Sequence, residues 1–291
     1  MIWQFLANGL IRGSMYALMA LGFGLIYNTT RIFHIAHGAV YTVAAYLFYT
    51  CAILLKLNVF VSLFLALFCS GILGVIIEFS IYHPLYKRKA SIGIYLISSL
   101  GLYIFLINTI ALFYGNETKT LSPGIEKTYH IGSIILTRIQ IFELISFIII
   151  FPIFLFFLKR IKLGKIIRAL ADNPELSTVV GINVKKIRII IFFLGSILAG
   201  FTSCLGALDV GMDPHMGMNV LLIAAVAVIM GGVGIFESPV VGAFILGLLQ
   251  NLLIWKVSSR WESMVTFMLL ICFLVFRPQG ILGKKRRLEE T

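Results

Sequence analysis

The sequence predicts an all-α polytopic membrane protein with about eight to nine hydrophobic segments, some of them broken or re-entrant. Three observations predict it. The 291 residues are 60% hydrophobic and only 12% charged, with a mean hydropathy of +1.02, and a soluble core cannot absorb that much apolar surface. Several apolar runs reach roughly 18–25 residues, the length that crosses ~30 Å of hydrocarbon as a helix. Lysine and arginine gather in short connections, in alternate loops.

The first apolar segment, 5–27, starts almost at Met1 with no basic stretch before it, so it reads as an uncleaved span. Segments at 34–55, 58–82 and 92–114 follow. The start of the second is interrupted by His34, His37 and Gly38 in "RIFHIAHGAVY". After 92–114 comes a polar stretch at 115–140 with Gly115, Asn116, Pro123, Gly124 and Gly132, then some alternation in "HIGSIILTRIQIF". It reads as an extracytoplasmic loop with a β-hairpin. Segments 141–158 and 187–208 flank a basic loop at 159–186. The last three segments are 220–234, 238–255 and 262–276. "MGGVGIFESPVVGA" joins the first two of these, and glycine and proline at that density break helices. They read as two short legs or a re-entrant hairpin. The whole chain, 1–291, forms one transmembrane domain.

Charge orients it. Arg31, Lys87, Arg88, Lys89, the eight basic residues from Lys159 to Arg188 and the five from Arg277 to Arg287 make 17 of the 24 lysines and arginines. Placing them in the cytoplasm puts the N-terminus outside and the C-terminus inside. Irregular backbone at membrane depth must line protein or a cavity, so the breaks at His34–Gly38 and Gly231–Pro239 are candidates for a transport path. A break in each half also suggests two related halves.

The basic loop contains "RALADNPELSTVVGIN", from Arg168 to Asn183. Asn173 suits an N-cap, Pro174 the first helical position, Glu175 the first turn and Gly181 a left-handed C-terminal cap. About two turns remain, ~10 Å, with Leu176, Val179 and Val180 on one face. So short a helix is poor alone. It is either an interfacial loop helix or a docking element for a cytoplasmic partner.

Other readings find little support. His34 and His37 form H-x-x-H, half a zinc site with no third ligand nearby. The cysteines, Cys51, Cys69, Cys204 and Cys272, show no metal or disulfide spacing. No G-x-x-x-x-G-K-[ST] occurs, so the chain does not hydrolyse ATP itself. No catalytic set, cofactor or nucleic-acid tract is expected; the net charge of +12 belongs to the loops. Glu78 is expected at the interface, paired with Lys87 or Arg88, Glu143 at the outer edge of its span, and Asp209 and Asp213 solvated or against a binding protein.

"RALADNPELSTVVGINVKKIRIIIFFLGSILAGFTSCLGAL" resembles the cytoplasmic loop and following span of the branched-chain amino acid ABC-transporter permease family, the LivH type. "NGLIRGSMYALMALGFGLIYN" resembles its first span, "HIAHGAVY" its Asn-Phe-Ala-His-Gly stretch, and "IEFSIYHPLYKRK" the end of its third span. "GGVGIFESPVVGAFILGLLQN" resembles its glycine-rich hairpin and "FRPQGILG" its C-terminal tag. The matches are collinear over nearly the whole chain. His34 departs from the usual Asn, Arg12 from an apolar or small residue, Leu222 from a common Lys, and Glu237 from the small residues of the hairpin turn.

The resemblance implies half of an importer's translocation pathway in a bacterial or archaeal plasma membrane, with the loop docking into an ATPase. Arg168, Ala169, Asp172, Asn173, Pro174, Glu175 and Gly181 are then the coupling residues. Tyr16, His34, His37, Gly38, Gly231, Gly232 and Gly234 line or approach the pathway. Implied partners are cytoplasmic ATP-binding subunits, a second permease subunit, identical or homologous, an extracytoplasmic solute-binding protein and lipid. Branched-chain or related amino acids are the implied solute, with urea or short amides as the alternative. An ion-coupled secondary transporter also explains broken helices, but not the capped loop helix.

Overall fold

The computed structural model describes residues 2–121, 127–256, 261–277 and 279–283. Pro123, Gly124 and Lys284–Arg287 of the readings above lie outside them. The described chain is helical apart from one small hairpin, as the composition requires. Among the described residues, six helical stretches are long and apolar enough to span a bilayer, and Met216–Gly231, Ser238–Leu253 and Met264–Phe276 are shorter apolar helices.

The central helix is α1 (Ile2–Thr30), 29 residues and so ~44 Å long. It is buried almost continuously from Gly13 to Ile26. Around it pack α6 (Arg138–Arg160), α9 (Val184–Asp209), α10 (Met216–Gly231) and α11 (Ser238–Lys256), the last most extensively. Small residues permit this: Gly9 and Gly13 of α1 lie on the backbone of α11 around Gly247, the close approach that membrane helices use in place of a hydrophobic driving force. The remaining helices are α2 (Ala36–Tyr49), α3 (Val59–Ile77), α4 (His83–Lys87), α5 (Ile92–Tyr114) and α12 (Glu262–Phe276), of which α2 is buried against α9 and α10. π-helical turns extend two of them, Thr50–Leu54 after α2 and Glu78–Tyr82 joining α3 to α4. Neither π-turn was legible in the apolar pattern.

The hairpin expected within 115–140 is present. β1 (Thr128–Ile131) pairs antiparallel with β2 (Ile134–Thr137), and Gly132 takes φ +60° in the two-residue turn. Gln4 holds the hairpin to the start of α1: its Nε2 donates to Ile135 O at 2.8 Å and its Oε1 accepts from Ile135 N at 2.7 Å. Thr137 then caps α6 in a reciprocal box with Gln140. The bundle therefore has a hairpin end and, across the ~34 Å of α6, an end marked by Lys159 and Arg160.

At the Lys159 end the basic loop holds two helices, α7 (Lys162–Asp172) and α8 (Pro174–Val179). α7 was not anticipated, because its lysines and arginine mask an apolar stripe. Leu163, Ile166, Ile167 and Leu170 recur at helical spacing, and Ile167 and Leu170 are buried where α7 meets α1 and α6.

Candidate coupling surface and translocation region

The short loop helix forms as its cap residues require. Asn173 Oδ1 accepts from Leu176 N at 2.9 Å, and Pro174 occupies the first turn. At the other end Ile182 N donates to Ser177 O and Gly181 N to Thr178 O, each at 3.0 Å, with Gly181 at φ +87°. Ser177 is buried, its Oγ donating to Asn173 O. The rest of α8 faces out: Leu176 is 59% exposed, Val179 82% and Val180 73%. Arg168, Ala169, Asp172, Pro174, Glu175, Lys185 and Lys186 are exposed with them. α8 is thus a capped apolar knob on a basic surface, standing against α7 and α9.

The chain breaks again between α1 and α2. Arg31 takes φ +58°, which turns the backbone out of the helix. Residues 31–35 then run back beside α1, so that His37 Nε2 comes against Gly22. α2 accordingly starts inside the bundle. Its N-cap, Ile35, supplies no side-chain cap, and the Ala36 amide donates instead to Ser99 Oγ of α5 at 3.0 Å. His34 Nδ1 lies 2.8 Å from Tyr82 Oη. His34 and His37 are fully buried with ring centroids 5.5 Å apart. Among the described residues, His34 Nε2 and both ring nitrogens of His37 have no hydrogen-bond partner.

A further break faces this one. α9 ends at Asp209, and residues 210–215 turn back before α10 starts at Met216. Gly211 takes φ +89°, and Met212 pairs with Lys119. The starts of α2 and α10 meet backbone to backbone: a Cβ on Gly38 would lie 2.8 Å from Gly217 O. "DVGMDPHMG" carried the signal in Gly211 and Pro214.

Gly231, Gly232 and Gly234 lie elsewhere, where α10 turns into α11 at the Lys159 end. Gly234 N donates to Asn28 Oδ1 at 2.9 Å, and Ile281 N and Leu282 N donate to Met230 O and Gly231 O. Asn28 is six residues beyond Gly22, so this turn sits ~9 Å along α1 from His37. Tyr16, also expected near the path, is buried on α1. Glu237, the departure in the turn, pairs with Lys159 at 2.6 Å. Partial burial pushes its carboxyl up; the Lys159 hydrogen bond and charge outweigh this and hold it below the ordinary carboxylate value.

Two acidic residues differ from expectation. Glu78 does not pair with Lys87 or Arg88. It is buried and takes both hydrogen bonds of Arg188, from Nε at 2.5 Å and Nη2 at 3.0 Å. The guanidinium also lies 4.9 Å from the centroid of the Tyr86 ring. Glu143, in the second turn of α6, is buried rather than open to the interface, within electrostatic reach of Arg12 and Asp209. A carboxylate near a span end looks interfacial in sequence; packing of α6 on α1 and α9 covers this one.

Comparison with known proteins joins these features. A family model described as the branched-chain amino acid transport system permease component matches residues 5–274. The chain is 31% identical over 296 residues to the high-affinity branched-chain amino acid transport system permease protein BraD of Pseudomonas aeruginosa, covering 97% of this chain and 95% of that one. It is 28% identical over 298 residues to the permease protein LivH of the same kind of system in Salmonella typhimurium, with the same coverage. Among solved structures, a chain of PsaBC from Streptococcus pneumoniae in complex with Fab is similar with a TM-score of 0.51, covering 94% of this chain and 92% of that chain at 15% identity, a likeness of fold alone. With a multi-pass helical bundle and a family match over nearly its whole length, the chain belongs to the branched-chain amino acid transport permease family, the membrane component of ATP-binding cassette transport systems.

Proposed function

We propose that this permease forms half of the translocation pathway of an importer for branched-chain or closely related amino acids, driven by a separate cytoplasmic ATPase that docks on α8. The observation that carries the reading is the exposed apolar face of Leu176, Val179 and Val180 on a helix capped at both ends. Exposed valines set among lysines and arginines fit a protein groove with an acidic rim. Arg168, Ala169, Asp172, Asn173, Pro174, Glu175 and Gly181 build or flank this knob. The basic end lies in the cytoplasm and the hairpin end outside, where a solute-binding protein delivers its load. A second permease subunit completes the path.

In energetic terms ATP acts by favouring one packing of the bundle over another, through contacts at α8 that differ between the two. The breaks at His34–Gly38 and 210–215 are where such a change opens or closes the path, because backbone freed from helical pairing is free to exchange partners there. Co-purification tests the docking. The wild-type permease should retain its ATPase through solubilisation, and Val179→Asp with Val180→Asp should lose it while accumulating in the membrane. An ATPase held equally by both would remove α8 from the interface.

A further inference from the structure

Four buried contacts link the foot of α9 to the start of α2. Arg188, just after the coupling loop, grips Glu78 through two hydrogen bonds. Glu78 opens the π-turn of α3 and Tyr82 closes it. The Tyr82 hydroxyl donates to Ser99 Oγ at 2.7 Å. Its proton being used there, Tyr82 Oη accepts from His34 Nδ1, which assigns the ring proton of His34 to that nitrogen. Ser99 Oγ in turn accepts the Ala36 amide, the first of α2. Arg188, Glu78, Tyr82, Ser99, His34 and Ala36 are all buried.

We infer that Tyr82 is a positioning residue for transport: it carries a displacement of the foot of α9 to the start of α2, a role that rests on the docking proposed for α8. The π-turn is the element with two states. It holds one residue more than an α-helical turn, so passing to α-helical pairing turns one flank about 100° relative to the other. Glu78 and Tyr82 stand on opposite flanks of that change and cannot both keep their partners through it. Moving Arg188 therefore sets whether the Tyr82 hydroxyl reaches His34 and Ser99. The Ala36 amide has no local cap to fall back on, so its loss is felt two residues on, where Gly38 rests on Gly217.

Hydrogen exchange on the full-length permease in lipid nanodiscs tests the relay. Tyr82→Phe keeps the ring against His34 and Phe192 and removes only the hydroxyl. Arg188→Lys keeps the charge and loses the two-point grip; Glu78→Gln replaces it if that variant does not accumulate. Each should speed exchange in residues 32–41 about tenfold, the scale of one buried hydrogen bond. The double variant should go no faster than the faster single, because the two act in series, and exchange around Ser203 should stay at the wild-type rate. Unchanged exchange at 32–41 in the Arg188 or Glu78 variant, or single effects that multiply in the double, overturns the relay. In cells carrying the complete importer, Tyr82→Phe should lower uptake of labelled leucine several-fold at wild-type amounts of permease and of co-purified ATPase; uptake equal to wild type overturns the role in transport. The exchange measurement needs neither ATPase nor solute, so a wrong docking assignment shows separately, as a wild-type permease that holds no ATPase.

Discussion

Arg188 and Glu78, 110 residues apart in the chain, meet as a two-point ion pair sealed inside the bundle, 4% and 2% exposed. Such a pair gains little over an apolar replacement, but losing one partner strands a buried charge at about 3–5 kcal/mol. Arg188→Met should therefore destabilise the permease by that amount, and adding Glu78→Met should restore most of it. Thermal unfolding of the solubilised single and double variants measures this. A double variant as unstable as the two singles combined would show that the side chains matter separately and not as a pair.

Gly181 adopts φ +87° with open space around it. A β-branched side chain there meets backbone strain of roughly 1 kcal/mol or more and no clash. Gly181→Val should accumulate normally yet stimulate its ATPase poorly, with Gly181→Asn intermediate. Full stimulated hydrolysis in Gly181→Val contradicts the docking role of α8.

The contact of Gly38 with Gly217 leaves no room for a side chain. Gly38→Val should still insert but lose most uptake, and Gly217→Val should do the same, since each Cβ meets the partner's carbonyl. Normal uptake in both, at normal amounts in the membrane, takes this junction out of the transport path.

Sidedness is testable with introduced cysteines. Ser177 is buried and unsuited, whereas Thr178 and Thr120 are exposed. An impermeant reagent added to intact cells should label Thr120→Cys and reach Thr178→Cys only after lysis. Labelling of both from outside reverses the charge-based orientation.

The Lys159–Glu237 pair is partly exposed, 53% and 32% at the side chains, so solvent screening keeps its contribution below about 1 kcal/mol. Because the folded carboxyl is held below its ordinary value, the contribution is complete above the unfolded pKa and fades only as pH falls through the lowered one. Glu237→Gln should thus cost a constant small amount from pH 5 to 8 and none in strong acid. A penalty that grows as pH falls from 8 to 6 would point to a different titrating partner.

Chain-local chemistry is what the sequence by itself determined. Run length and composition specified a helical membrane protein, because hydrocarbon admits only helices and closed barrels and apolar runs of about 20 residues suit the helix. Asn173, Pro174 and Gly181 specified α8, since caps act within a turn of the residues that supply them. His34 and Gly38 marked a break, and the family resemblance followed from the order of such local signals. The stripe of α7 went unread, because its lysines and arginine interrupt it.

Only the tertiary structure decided which distant groups satisfy one another. Glu78 lies near Lys87 and Arg88 in sequence, yet Arg188 takes it, because helix packing and not chain proximity sets what a buried carboxylate can reach. Ser99 caps Ala36 across 63 residues, which no pattern around residue 36 announces. Gly38 found its partner at Gly217, and the Gly231–Gly234 turn went to the Lys159 end beside Asn28. Glycine signals in sequence that backbones approach closely; the packing of the bundle chooses which ones.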